Sequence, residues 1–315
     1  MQLWQMSCIA SMRINNILLT LLCLSSLAFA KDSEPFGELK KLADQGNADA
    51  GFYLGMAYLG GEGLKQDTKQ AIRIFQTSAE KGHPISEFMM GKAYYNGWGV
   101  KKNYAEAAKW FRKSAEKGVP PAQYWLGICL HNGRGVKKNN AEATQWFLKS
   151  AKQGHPPAQR NLGLCYVDGM GVKKNTANGI KWFKKAAKNG LPDGMFFLAF
   201  HYATGWGVKK NDAEAAKWYG KAAISGLPDG QYYIGRCYQQ GTGVKTDAIE
   251  AYGYYSLAAS KNEDAQKALV TLSKEMTKQQ VAEGQKRYQS LKSQIKPEPQ
   301  SDSADDFKFF RKLLS

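Results

Sequence analysis

Apolar residues return along this chain on two nested scales. Inside each stretch of about a dozen residues they recur at the three-and-four spacing of an amphipathic helix. The whole pattern then repeats every 36 residues over 47–262. One column reads Leu54, Met90, Leu126, Leu162, Leu198 and Ile234. The next reads Gly55, Gly91, Gly127, Gly163, Ala199 and Gly235. Glycine inside a helix costs about 0.5–1 kcal/mol against alanine, so its return marks a place where helices touch closely. Later in five of the six periods comes an aromatic pair: Trp110/Phe111, Trp146/Phe147, Trp182/Phe183, Trp218/Tyr219 and Tyr254/Tyr255. These are large enough to fill the space between helices.

Special residues divide each period in two. In 83–118, Pro84 presets the first turn of a helix that runs to about Tyr95. Gly97 and Gly99 break it by permitting positive φ. Asn103 caps a second helix, with Glu106 as the expected capping-box partner, and Gly118 ends it. The pattern predicts six helix-turn-helix units at 47–82, 83–118, 119–154, 155–190, 191–226 and 227–262. None can bury its apolar face alone, so they must stack into an all-α solenoid. A partial repeat or cap helix is expected at 31–46, and cap helices at 263–295.

The unit A-x-x-x-L-G-x-x-Y-x-x-G-x-G-V-x-x-[ND]-x-x-x-A-x-x-W-[FY]-x-x-A-A resembles the Sel-1-like repeat, a relative of the tetratricopeptide hairpin. The resemblance implies a right-handed α/α superhelix and an adaptor role. Many bacterial members are exported, and some serve the cell envelope or contact a host. Cysteine-rich exported members staple each hairpin with a disulfide, and this sequence lacks that pairing. Cys129, Cys165 and Cys237 share one first-helix column with Ala57, Ala93 and His201. Helices pack about 8–10 Å apart, whereas a disulfide needs Cα atoms within about 7 Å. Buried thiols are therefore expected, with no metal site.

Residues 1–30 read as a secretory signal peptide: Arg13, an apolar run, and a small-x-small end at Ala28-Phe29-Ala30. The apolar run is too short to cross about 30 Å of hydrocarbon as a helix. The protein is therefore expected to be exported, periplasmic or secreted, after cleavage near Ala30. The chain is basic, with 44 Lys+Arg against 27 Asp+Glu and a formal charge of +17. Part of that charge forms a ladder: Lys101, Lys102, Lys137, Lys138, Lys173, Lys174, Lys209 and Lys210. Such an edge suits anionic surfaces or polyanions, or is simply solvated.

No complete catalytic set is present. Ser78 and Ser114 open S-x-x-K matches, but the other elements of a serine β-lactamase are missing. The histidines belong to no ligand run, and no glycine-rich loop follows a strand. The reading is a non-enzymatic scaffold without cofactor; an envelope hydrolase of β-lactamase type and a polyanion binder are the alternatives. Genomic nucleic acid is not the expected partner of an exported protein. Membrane contact is expected only through the basic edge or the tail.

A protein or peptide partner is expected on the concave face, along first-helix positions that vary between units. These are Phe52/Met56, Phe88/Lys92, Tyr124/Ile128, Arg160/Leu164, Phe196/Phe200 and Tyr232/Arg236, each pair at i, i+4 on one face. Aromatics and Arg are enriched in interface hot spots. Trp98, Arg134 and Trp206, between the paired glycines, are candidate rim anchors. The tail at 296–315 carries Phe307, Phe310 and Leu314 at helical spacing, an apolar cluster that wants a surface.

Overall fold

The structure, a computed structural model, describes residues 34–61 and 63–295. The expected signal peptide, the tail at 296–315 and the loop residue Glu62 lie outside the described residues. Fifteen helices and no strand are present among the described residues. A flanking helix, α1 (Glu34–Asp44), precedes the repeats. The first helices of the six repeats are α2 (Ala48–Gly60), α4 (Pro84–Asn96), α6 (Pro120–Asn132), α8 (Pro156–Asp168), α10 (Pro192–Thr204) and α12 (Pro228–Gln240). The second helices are α3 (Thr68–Glu80), α5 (Tyr104–Glu116), α7 (Asn140–Lys152), α9 (Thr176–Lys188), α11 (Asp212–Ile224) and α13 (Ala248–Ala258). Two more, α14 (Glu263–Glu275) and α15 (Lys278–Gln294), close the described chain. The helices form two compact units, divided between Lys138 and Asn139 inside the third repeat.

The paired glycines do two different jobs. The first sits at the helix C-cap in the left-handed region: Gly97 has φ 82°, and its N–H donates to the Ala93 carbonyl at 2.8 Å. The second also has positive φ, but it is held by a neighbour as well. A Cβ on Gly135 would overlap the Tyr104 carbonyl, and one on Gly243 the Asp212 carbonyl. Each loop thus rests on the first turn of the second helix of the preceding repeat. The heptapeptide is an inter-repeat contact as much as a turn.

The small-residue column has an equally direct cause. A Cβ on Gly55, Gly91, Gly163 or Gly235 would overlap the ring of Phe75, Phe111, Phe183 or Tyr255 in the second helix of the same hairpin. Those four rings are fully buried. Small residue and ring interlock, which fixes the register of each hairpin.

The capping prediction needs correction. Asn103, Asn139, Asn175 and Asn211 do accept backbone N–H groups of the second helices. The glutamates turn forward instead of back: Glu106 pairs with Lys109 at 2.6 Å, and Glu214 bonds Lys217 at 2.9 Å and the Trp218 indole at 3.1 Å. In this basic chain an ammonium one turn ahead outcompetes the cap N–H for the carboxylate. The reciprocal capping box forms at Thr277/Gln280, where the partner is a neutral glutamine.

At the C-terminal end α14 follows α13 as a further first helix. α15 then packs along α13, with Gly284 against Tyr252 and Gly253 against Arg287 and Leu291. Leu291 is buried, and Arg287 Nε lies 2.8 Å from Glu250 Oε1.

Candidate binding face

The first-helix stripe behaves differently in the two units. In the first, Phe52, Phe88 and Lys92 are only 4%, 1% and 2% exposed, which corrects the expectation of an open face there. Phe52 stacks on His83 at 5.0 Å, and Phe88 packs on Phe111 at 5.9 Å. Lys92 lies with its ammonium 4.0 Å from the centre of the Trp125 ring. Met56, Tyr124 and Ile128 are half-buried. Tyr95, near the end of α4, is also buried.

In the second unit Arg160, Leu164, Phe196, Phe200, Tyr232 and Arg236 are all half-buried and reach the surface. Phe196 meets Tyr219 at 5.7 Å and Tyr233 at 5.5 Å. The Arg236 guanidinium lies over Tyr232 and Tyr233, at 5.7 and 5.5 Å. Arg160 Nη1 donates to Asn161 at 2.6 Å, while its Nε is buried without a partner.

The loop residues reach the surface in both units. Trp206 is 44% exposed, with the Lys174 ammonium 5.4 Å from its ring centre. Its carbonyl bonds His201 Nδ1 at 2.7 Å, and its ring lies 5.4 Å from the His201 ring. Burial lowers the His201 pKa. Trp98 is half-buried. Arg134 is exposed but pinned, donating to the Tyr95 hydroxyl and lying over Tyr104. All eight ladder lysines are exposed. Lys210 lies 3.4 Å from Asp212; among the described residues the other seven have no carboxylate at ion-pair distance.

Sequence reasoning passed over two sets of residues. Trp125, Phe197 and Tyr233 share a first-helix column and stack on the rings of the preceding second helix, Phe111, Phe183 and Tyr219. On the second helices, Lys113, Lys149, Lys185 and Lys221 lie 4.0–4.4 Å from the ring centres of Trp110, Trp146, Trp182 and Trp218. The W-x-x-K spacing was visible and marks one helical face.

The thiols are buried as expected. Burial pushes Cys129 up to about 12 and Cys237 up to about 11, far from a reactive thiolate. The S-x-x-K serines are packing groups. Ser114 is fully buried and donates to the Pro84 carbonyl at 2.7 Å, while Lys117 turns to Glu87 at 2.6 Å. Nothing in that arrangement presents a nucleophile to substrate.

Stacked helical hairpins with a variable aromatic-and-arginine face define a repeat scaffold of the tetratricopeptide-like class. The chain belongs to the Sel1 repeat family, whose repeat matches at 48–83, 84–119, 120–155, 156–191, 192–227 and 228–263. This frame lies one residue beyond the predicted one. Among solved structures, c5321, a protective antigen of uropathogenic Escherichia coli strains with an SLR fold, is 34% identical with a TM-score of 0.72. That match covers 82% of this chain but only 56% of c5321. A Sel1 repeat protein from Oxalobacter formigenes is 31% identical with a TM-score of 0.65, over 72% of this chain and 99% of that one. No curated protein matches the sequence. The fold is thus the α/α solenoid of this family, typically a non-enzymatic scaffold that binds protein partners.

Proposed function

We propose that this protein is an exported scaffold that holds a protein or peptide partner on its first-helix face, in an envelope or host-contact process. The observation that carries this reading is the half-exposed run of Phe196, Phe200, Tyr232 and Arg236 in the second unit. Large rings and guanidinium groups that are already ordered lose little entropy on binding, which is what anchors an interface. Export rests on the sequence of 1–30 and is tested by the N-terminus of protein recovered from periplasm or medium, expected at Lys31.

The binding reading is tested by affinity capture from envelope and extracellular extracts. The mature protein is compared with a Phe196→Ala/Phe200→Ala/Tyr232→Ala variant of unchanged helicity. A protein retained by the first and lost by the second at moderate salt supports it; equal retention by both overturns it. The unpaired ladder lysines favour a second reading, contact with a polyanion along the loop edge. Binding there would fall steeply with salt, as electrostatic association with a polyanion does.

A further inference from the structure

The two arginines of the second unit's stripe are unusual in what they lack. Among the described residues neither Arg160 nor Arg236 forms an ion pair with a carboxylate, although both are half-buried. Arg287, by contrast, lies against Glu250. Arg160 has one bond, to a neutral amide, and an Nε buried without a partner. Arg236 lies over two tyrosine rings, which orient the guanidinium without neutralising it. A guanidinium held in place, partly desolvated and unpaired is ready for a planar anion.

Between the two arginines runs an aromatic surface. Arg236 joins Tyr233, Tyr233 joins Phe196 at 5.5 Å, and Phe200 stands one turn further along α10. Arg160 is on α8 and Arg236 on α12, with α10 between them. We propose that this face takes an acidic peptide segment. One carboxylate pairs with Arg160, an aromatic or branched aliphatic side chain lies over Phe196 and Phe200, and a second carboxylate pairs with Arg236. This inference rests on the first-helix reading above and adds the chemistry of the partner.

The geometry sets a spacing. Helices pack about 8–10 Å apart, so two steps separate the guanidinium groups by about 16–20 Å. An extended chain advances about 3.3 Å per residue, so the two acids stand about five or six residues apart. Lys173, Lys174 and Lys209 on the loops, with no carboxylate at ion-pair distance among the described residues, raise the local concentration of such a segment, an effect screened beyond about 8 Å at physiological salt.

The test is fluorescence anisotropy on the mature chain, with fluorescein-labelled peptides carrying two glutamates around a central Phe-Leu. Spacings of three and six residues are compared, beside a six-residue peptide with both glutamates replaced by glutamine. The six-residue acidic peptide is expected to bind at least tenfold more tightly than either control. Arg236→Gln should weaken it about tenfold, and Arg236→Glu should come to prefer a peptide with one glutamate replaced by lysine. That inversion of preference is something a merely structural role would not produce. Equal binding of the glutamine peptide, no dependence on spacing, or no binding of any peptide overturns the proposal. So does equal competition by heparin or by phosphatidylglycerol vesicles against wild type and Arg236→Gln, which would place the anion on the lysine edge. The underlying reading fails separately, when the Phe196→Ala/Phe200→Ala/Tyr232→Ala variant captures what the wild type captures.

Discussion

Three of the six stripe positions in the first unit are buried, whereas all six in the second are half-buried and reach the surface. Phe52, Phe88 and Lys92 disappear under their neighbours, whereas Phe196, Phe200, Tyr232 and Arg236 stay half-open. The two sets occupy equivalent columns. What differs is the residue that the next repeat lays over each one. His83 stacks on Phe52, and Trp125 covers Lys92. The exposure of a repeat position is therefore a property of two successive units, and reading down one column cannot supply it.

The loops give this comparison its control, because they are built alike in both units. Gly135→Ala in the first and Gly243→Ala in the second should each cost about 3 kcal/mol or more, combining left-handed strain with a clash on a carbonyl. Gly118→Ala, with φ 93° and open space around it, should cost only the strain, about 1–2 kcal/mol. Urea and thermal melts rank the three; equal losses would remove the inter-repeat role of the second glycine.

Truncating the covering residue breaks the comparison directly. Trp125→Ala should cost about 3–5 kcal/mol, because it removes a buried ring and uncovers an ammonium. The equivalent Tyr233→Ala removes a half-buried ring and should cost clearly less. A melt that shows the reverse order would reject the idea that Trp125 closes the Lys92 position in the first unit.

A smaller contrast lies in the clasp between the two helices of one hairpin. The first unit uses a charged pair, Glu87–Lys117, with Glu87 Oε2 buried and unpartnered. The second uses a neutral one, Asn189 to Gln159 at 2.9 Å. Lys117→Met should cost about 1–3 kcal/mol, discounted because Lys117 is partly exposed, and Glu87→Gln in the same chain should recover part of it. Asn189→Ala should cost about 1 kcal/mol or less, since the pair is neutral and Asn189 exposed. A double-mutant cycle checks both.

The smallest effect is a pH dependence at the His83 cap in the first unit. His83 Nδ1 accepts the Ser86 N–H at 3.0 Å and so caps α4, while Nε2 lies 3.4 Å from Asp49. Burial lowers its pKa and Lys117 adds to this; Asp49 opposes them. A depressed histidine pKa means that the unfolded chain takes up the proton first. The contribution of the cap is therefore complete above about pH 6.5 and is lost as pH falls through that value towards the folded pKa. His83→Asn, the residue found in this slot at Asn47 and Asn262, should flatten the fall in melting temperature between pH 7 and 5. An unchanged slope would exclude His83 as its source.

Much of this protein is decided locally, and that part the sequence determined alone. Proline at the first turn, asparagine or aspartate at the second-helix cap and glycine at the C-cap act within a few residues, so helix count, boundaries and period could be read directly. Buried columns were legible for the same reason: a side chain repeated six times at one position meets the same partner six times. The candidate site is another matter, since its twelve positions were legible as a stripe but their accessibility was not. Only the tertiary structure decided which side chains of one repeat roof those of the one before. It also decided where each glutamate turns and that the second glycine abuts a neighbouring carbonyl. The roofing and the glycine contact bring together residues about 30 positions apart, a distance over which helical periodicity carries no information, whereas each glutamate chooses among groups within about one turn.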